Sequence, residues 1–340
     1  MVRRLLTSRW LKPAFLALSL GFCGYGLAAE QAKVREALHH LAWGPVIAAL
    51  AMALLGMGCT MLSWRELVRD LGSPLPLRAA TRILFIAQLG KYLPGGVWAP
   101  AAQVELGREY QIPRSRSAAA ALVNMVVTLG SGLLVAAVAL PLSSGGAVRT
   151  YWWALALGGL ALAGLYPPLT SAVLNRGLRL LRRAPLERGV SGPGIARAVA
   201  WGVLGWLFFG AHAWLLVSSL TGKGVSVLLV ATGAFALAWS VGFILVFFPG
   251  GIGPRELALI AALAPVMPAA SAIVVAVISR LVMTAGDLAW AATAFMLGYR
   301  GRKRGLRQPV DAGVTPGPAG DSPGKGLGRE DPAPRESAAR

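Results

Sequence analysis

The chain has 340 residues, 56% hydrophobic and only 14% charged, with 33 Lys and Arg against 14 Asp and Glu. A soluble domain carries about 25% charged residues, so this composition excludes an ordinary soluble protein and points to a lipid bilayer. The net charge of +19 does not signal nucleic acid, because the basic residues sit in short connections between apolar runs rather than in an aromatic-interleaved patch.

In chain order, Arg3, Arg4, Arg9 and Lys12 precede an apolar run over 13–29. That run reads either as a signal peptide ending near Ala29 or as a retained first span, and its length favours the span. A second span, 42–63, leads to a connection bearing Arg65, Arg69 and Arg78. The next apolar segment, 79–92, falls below the roughly 17 residues a span requires. It ends in "KYLPGGVWAP", Lys91 to Pro100, where Pro94, Gly95 and Gly96 break any helix. Spans at 117–140 and 152–174 follow Arg114 and Arg116. The connection carrying Arg176, Arg179, Arg182, Arg183 and Arg188 then leads to a span at 197–220.

Beyond Lys223 the break recurs. The apolar run 226–248 ends in "VFFPGGIGPRE", with Pro249, Gly250 and Gly251, and is followed by another short segment, 254–266. A last span, 270–297, ends in the basic "YRGRKRGLR". From Gly301 onward there are eight glycines and six prolines with charges of both signs, the composition of a disordered tail. The expected domains are a membrane domain over 1–300 and a disordered cytoplasmic tail over 301–340. Trp10, Trp43, Trp64, Trp152 and Trp153 flank spans and read as an aromatic belt. Cys23 and Cys59 lie in apolar runs and offer neither a disulfide framework nor a metal site, and the three histidines have no ligand spacing.

The two breaks are related. An offset of 155 residues places Pro94, Gly95 and Gly96 on Pro249, Gly250 and Gly251, and Pro113 on Pro268, each time with an apolar span downstream. This indicates an internal duplication with halves at about 78–140 and 226–297. Three full spans separate the breaks, and an odd number of crossings gives the copies opposite orientations, as in the inverted repeats of transporters. Charge agrees: with both termini cytoplasmic, the Arg-rich connections all fall inside. The expected fold is therefore an all-α polytopic membrane protein with about six full transmembrane helices and two re-entrant helical hairpins, in an inverted-repeat arrangement.

Broken backbone at membrane depth is tolerated only against protein or a water-filled cavity. A helix restarting after each break offers free N–H groups that favour an anion. In the second copy Gly253 precedes Arg255 and Glu256; a guanidinium there suits a phosphate, while Glu256 is also explained by the helix dipole. The first copy has Gln103, then Glu105 and Arg108 three apart, either a ligand site or an interfacial ion pair. Arg280 and Asp287, seven apart, share one face of the last span. Each costs at least ~2.5 kcal/mol in hydrocarbon, so they serve a pathway or pair with partners, Glu256 and Glu105 being candidates for Arg280. Lys91 can be explained by snorkelling, and Asn124 and His212 by hydrogen bonds between helices. No nucleophile elbow, metal cluster, P-loop or dinucleotide fingerprint is present, so no enzymatic activity and no cofactor are expected.

"QLGKYLPGGVWAPAAQVELGR" and "FFPGGIGPRELALIAAL", each followed by a span, resemble the flippase-like membrane domain of lysylphosphatidylglycerol synthases over most of residues 10–300. The second motif, PGG-I-G-x-R-E, is the more specific. In the first, Glu105 and Arg108 fall later than the family's glycine–glutamate pair and arginine. The resemblance implies translocation of a phospholipid or polyprenyl-linked head group between leaflets of a bacterial inner membrane. It does not imply synthase activity, since aminoacyl transfer belongs to a separate soluble domain of the fused enzymes. Two alternatives stay open: a secondary transporter of a small anion, and a non-catalytic membrane subunit partnering an envelope-lipid or glycan enzyme.

Overall fold

A computed structural model describes residues 43–93, 98–143, 166–180, 189–244 and 253–305, with a few positions between 156 and 164. Every contact below lies within the compact unit Met1–Arg300. The expected first span at 13–29, the tail from 306 and both PGG triplets lie outside the described residues, as do Trp10, Trp152 and Trp153.

All described elements are helical. They are α1 (Trp43–Asp70), α2 (Leu77–Gln88) with a 3₁₀ turn Leu89–Tyr92, α3 (Trp98–Gly107), α4 (Arg114–Ser143), α5 (Pro167–Leu180), α6 (Gly192–Thr221), α7 (Leu228–Ile244), α8 (Pro254–Leu263) and α9 (Ala269–Gly305). Among the described residues five stretches are long and apolar enough to cross a membrane: Trp43–Asp70, Arg114–Leu142, Gly192–Thr221, Gly224–Ile244 and Ala269–Gly298. By contrast α2 has 12 residues and α8 has 10, about 18 and 15 Å of helix, or half the hydrocarbon thickness. The offset of 155 holds for elements as well as motifs, carrying Arg114, the start of α4, onto Ala269, the start of α9.

The stretch 226–248 supplies the span-length helix its apolar length promised, while its counterpart α2 is short, as expected of 79–92. One element differs from the sequence reading. A turn at Gly164 and a fresh helix at Pro167 remove residues 167–174 from the expected span at 152–174. The tandem prolines Pro167 and Pro168 fit the start of a helix, where an N–H is unpaired anyway, and not its interior.

Small residues set the packing. Ala49, Ala53, Ala120, Ala198, Ala213, Ala231, Ala234 and Ala272 are buried, whereas Ile47, Leu55, Val138, Leu207 and Phe295 are exposed. This reverses the pattern of a soluble protein. Between helices in lipid, close approach of backbones contributes more than large apolar side chains, which lipid solvates equally well. α1 and α6 run antiparallel through such a seam: Gly205 lies against the Gly56 carbonyl, and Gly56 lies under the Phe209 ring. α7 is apolar on every side and is buried at every position from Val230 to Ala238, as a central helix must be. It packs on α4, where Gly233 meets Leu140, and on α6, where Gly210 meets Thr232. Trp64, expected in an interfacial belt, is instead fully buried in this core, while Trp43 is 64% exposed.

Polar contacts cluster at the two ends of the bundle. At one end Asp70 closes α1 and accepts the N–H and the O–H of Ser191, both at 2.6 Å, before α6 begins. There too, Arg197 pairs with Glu66 at 2.9 Å and Arg116 donates to the Gly72 carbonyl at 3.0 Å. Arg82, early in α2, reaches Glu109, just after α3, at 3.0 Å. Thus α2 leaves from this basic end and α3 returns to it. At the other end Lys223, just before α7, donates to the Val266 carbonyl, just after α8, at 2.8 Å. The pair α7–α8 therefore opens at the end opposite to α2–α3.

Candidate functional site

The two short units meet on α9. Arg280 and Asp287 each lie eleven residues from an end of the apolar stretch Ala269–Gly298, which puts each about 16 Å deep. From one side, α2 runs antiparallel along α9, with Phe85 stacked on Trp290 at a centroid distance of 4.4 Å. At its deep end the Asp287 carboxylate accepts the Tyr92 hydroxyl at 2.6 Å and pairs with the Lys91 ammonium at 2.6 Å, both through Oδ2. Tyr92 also reaches Thr284 at 3.5 Å. Asp287 is 5% exposed, and a cation and a hydroxyl compensate its buried carboxylate.

From the other side, α8 begins at Gly253, whose φ of +94° suits a residue without a side chain. Pro254 at the first helical position has no N–H to offer. The Gly253 N–H is taken by Glu256 Oε2 at 2.6 Å, while Glu256 Oε1 accepts Arg280 Nη1 at 2.5 Å. The expected open N-terminus is therefore partly closed by its own first-turn glutamate, and Glu256, not Glu105, neutralises Arg280.

Arg255 differs from its neighbours. Its guanidinium lies 5.0 Å from the centroid of the Phe235 ring on α7, and among the described residues it has no hydrogen bond or ion pair with a carboxylate. It lies within electrostatic reach of Arg280, Glu256, Tyr92 and Asp287. Behind Phe235, the fully buried His212 of α6 packs edge-on to that ring at 5.5 Å and bridges the Ala49 carbonyl of α1 to Ser279 of α9. His212 and Asn124, which accepts from Ser63 at 3.3 Å, thus make the helix-to-helix bonds expected of them.

Of the residues singled out in sequence, Gly253, Arg255, Glu256, Arg280 and Asp287 come together. Glu105 and Arg108 do not join them: Arg108 pairs with Glu105 at 2.9 Å, and Arg114 adds a second contact at 3.6 Å at the basic end. Gln103 is buried, its Oε1 has no hydrogen-bond partner among the described residues, and its backbone carbonyl accepts the Ser117 hydroxyl. Pro94, Gly95, Gly96, Pro249, Gly250 and Gly251 lie outside the described residues. Sequence reasoning missed Lys91 and Tyr92 as partners of Asp287. The available signal was their place at the deep end of a segment too short to span. No group of three or more metal-ligating side chains occurs among the described residues.

A polytopic helical membrane protein with paired charges at mid-depth is the class that fold and site define. Residues 10–291 match the lysylphosphatidylglycerol synthase TM region, and the chain belongs to that family. No curated protein matches the sequence.

Proposed function

We propose that this protein translocates the anionic head group of a phospholipid or polyprenyl-linked lipid between the leaflets of a bacterial inner membrane. The observation that carries the reading is Arg255, a cation at membrane depth stacked on Phe235 with no hydrogen bond or ion pair to a carboxylate among the described residues. A planar guanidinium is suited to two phosphate oxygens at once. The pairs Lys91–Asp287 and Arg280–Glu256 support it by tying the deep ends of two short units to a single helix from opposite sides. Such units behave as re-entrant hairpins of an inverted repeat, which could open alternately to either leaflet. The concentration of arginines at the end holding Asp70, Arg116 and Arg197 supports its placement in the cytoplasm.

Reconstitution into liposomes with a fluorescent short-chain lipid tests this. Arg255→Ala is expected to lower the dithionite-measured flip rate at least about tenfold, a loss of the order of one charge-assisted contact. An Arg255→Ala rate equal to wild type, in protein with wild-type gel-filtration behaviour, would refute the reading. The alternatives, transport of a small soluble anion or a non-catalytic role beside a membrane enzyme, have no observation that favours them over lipid.

A further inference from the structure

We propose that α5 is an interfacial docking helix: it lies along the head groups at the basic end of the bundle and holds anionic phospholipid of that leaflet beside the protein. The proposal stands apart from the translocation reading and concerns a different surface. Its level in the bilayer follows from the contacts of its first turns. The Thr170 hydroxyl donates to the Gly164 carbonyl at 2.9 Å and to the Tyr166 carbonyl at 3.1 Å, tying α5 back across the corner before it. Pro167 and Ser171 lie against Gly192 and Gly189, at the start of α6. α6 starts at the end that holds Asp70 and Arg197, so α5 sits at that basic end too.

Round the helix, at about 100° per residue, the side chains fall into three successive sectors. Thr170 and Leu174 are buried against the protein. Leu169 and Val173 come next and are 49% and 62% exposed. Arg176 and Arg179 follow, both exposed. Among the described residues neither pairs with a carboxylate, and Arg179 donates to the Asn175 carbonyl of its own helix at 3.4 Å. Neither bulk phase suits this pattern. Hydrocarbon would have to take two guanidiniums, and water would have to take an apolar stripe. The interface satisfies both, with the stripe in the acyl boundary and the arginines at phosphate level. The basic edge favours an anionic leaflet over a zwitterionic one, since only a net negative surface attracts it. It also decides against a second copy, whose docking through the same face would set arginine against arginine.

Lipid contact at the stripe tests this. Full-length protein carrying Cys23→Ala and Cys59→Ala would be labelled with bimane at Val173→Cys and placed singly in nanodiscs of phosphatidylcholine and phosphatidylglycerol. Brominating one lipid or the other makes it the quencher. Both lipids should quench, phosphatidylglycerol at least about threefold more strongly per mole, since each basic residue near an anionic surface is worth about fivefold before salt screens it. Sodium chloride at about 0.5 M should bring the two lipids within about 1.5-fold. Arg176→Gln/Arg179→Gln should do the same at low salt, whereas Arg176→Lys/Arg179→Lys, which keeps both charges, should retain the preference. A label at Leu142→Cys, an exposed position at the other end of α4, should show none.

Equal quenching by the two lipids at Val173→Cys would overturn the proposal, as would a preference that survives Arg176→Gln/Arg179→Gln. Quenching by aqueous iodide and by neither lipid would place the stripe in water, open to a soluble partner, and overturn it as well. Loss of lipid quenching in nanodiscs holding two copies would identify a second copy as the occupant, with the same consequence. None of these outcomes bears on flipping, which Arg255→Ala tests separately.

Discussion

The Lys91–Asp287 pair joins the first short unit to α9, and its energetic coupling can be measured. Asp287 is 5% exposed, while the Lys91 side chain is 35% exposed. Removing one partner of a buried pair costs about 3–5 kcal/mol. Partial exposure lets the lysine move its ammonium toward water, which lowers the expectation for Asp287→Ala to about 2–3 kcal/mol. Asp287→Asn keeps an acceptor for the Tyr92 hydroxyl and should cost about 1–2 kcal/mol. Lys91→Met leaves the carboxylate with Tyr92 alone and should cost about 2 kcal/mol. The double variant Lys91→Met/Asp287→Asn leaves no unmatched charge between the two positions. It should therefore be more stable than the sum of the single losses by about 1–2 kcal/mol. Reversible unfolding of the four proteins in mixed micelles, titrated with sodium dodecyl sulfate and followed by circular dichroism, gives the coupling. Additivity within about 0.3 kcal/mol would refute the claim that this contact holds the deep end of α2 on α9.

Three further outcomes follow from local geometry. Gly132→Ala would bring a methyl to 2.7 Å from Trp206, a ring held by Ser131, Phe209 and Trp239 and unable to yield. It should cost about 2–3 kcal/mol in the same titration, whereas Gly44→Ala, with open space around it, should stay within about 0.5 kcal/mol. Gly253→Ala meets no atom but must adopt a φ of +94°, so it should cost about 1–3 kcal/mol from backbone strain alone and speed hydrogen exchange in α8. Asp70→Ala removes both bonds to Ser191 and with them the support of the α6 cap, in which Ser191 accepts Gly194 N–H at 3.1 Å. A loss of about 1–2 kcal/mol is expected, and hydrogen-exchange protection of the first turn of α6 should fall.

The membrane class, the short segments before and after the breaks and the offset of 155 were legible in the residues themselves, and pairing of Arg280 and Asp287 with other charges was one of two readings open there. These features depend on local or additive physics: apolar length against bilayer thickness, proline and glycine against helix continuity, and the cost of an isolated charge in hydrocarbon. Even the central place of α7 was foreshadowed by a helix apolar on all sides. The partners were not legible. Arg280 sits equally well with Glu105 or Glu256 in sequence, and only the packing of α8 on α9 decides for Glu256. Lys91 read as a snorkelling lysine because nothing along the chain connects it to a carboxylate 196 positions away. Trp64 read as interfacial because its neighbours in sequence are polar, while tertiary packing puts it in the core. Sequence alone determined that ionisable groups in the last span had to serve a pathway or be compensated by partners. The tertiary structure decided which charges pair among the described residues, because ion pairing depends on distances of a few ångströms between helices that sequence spacing does not specify.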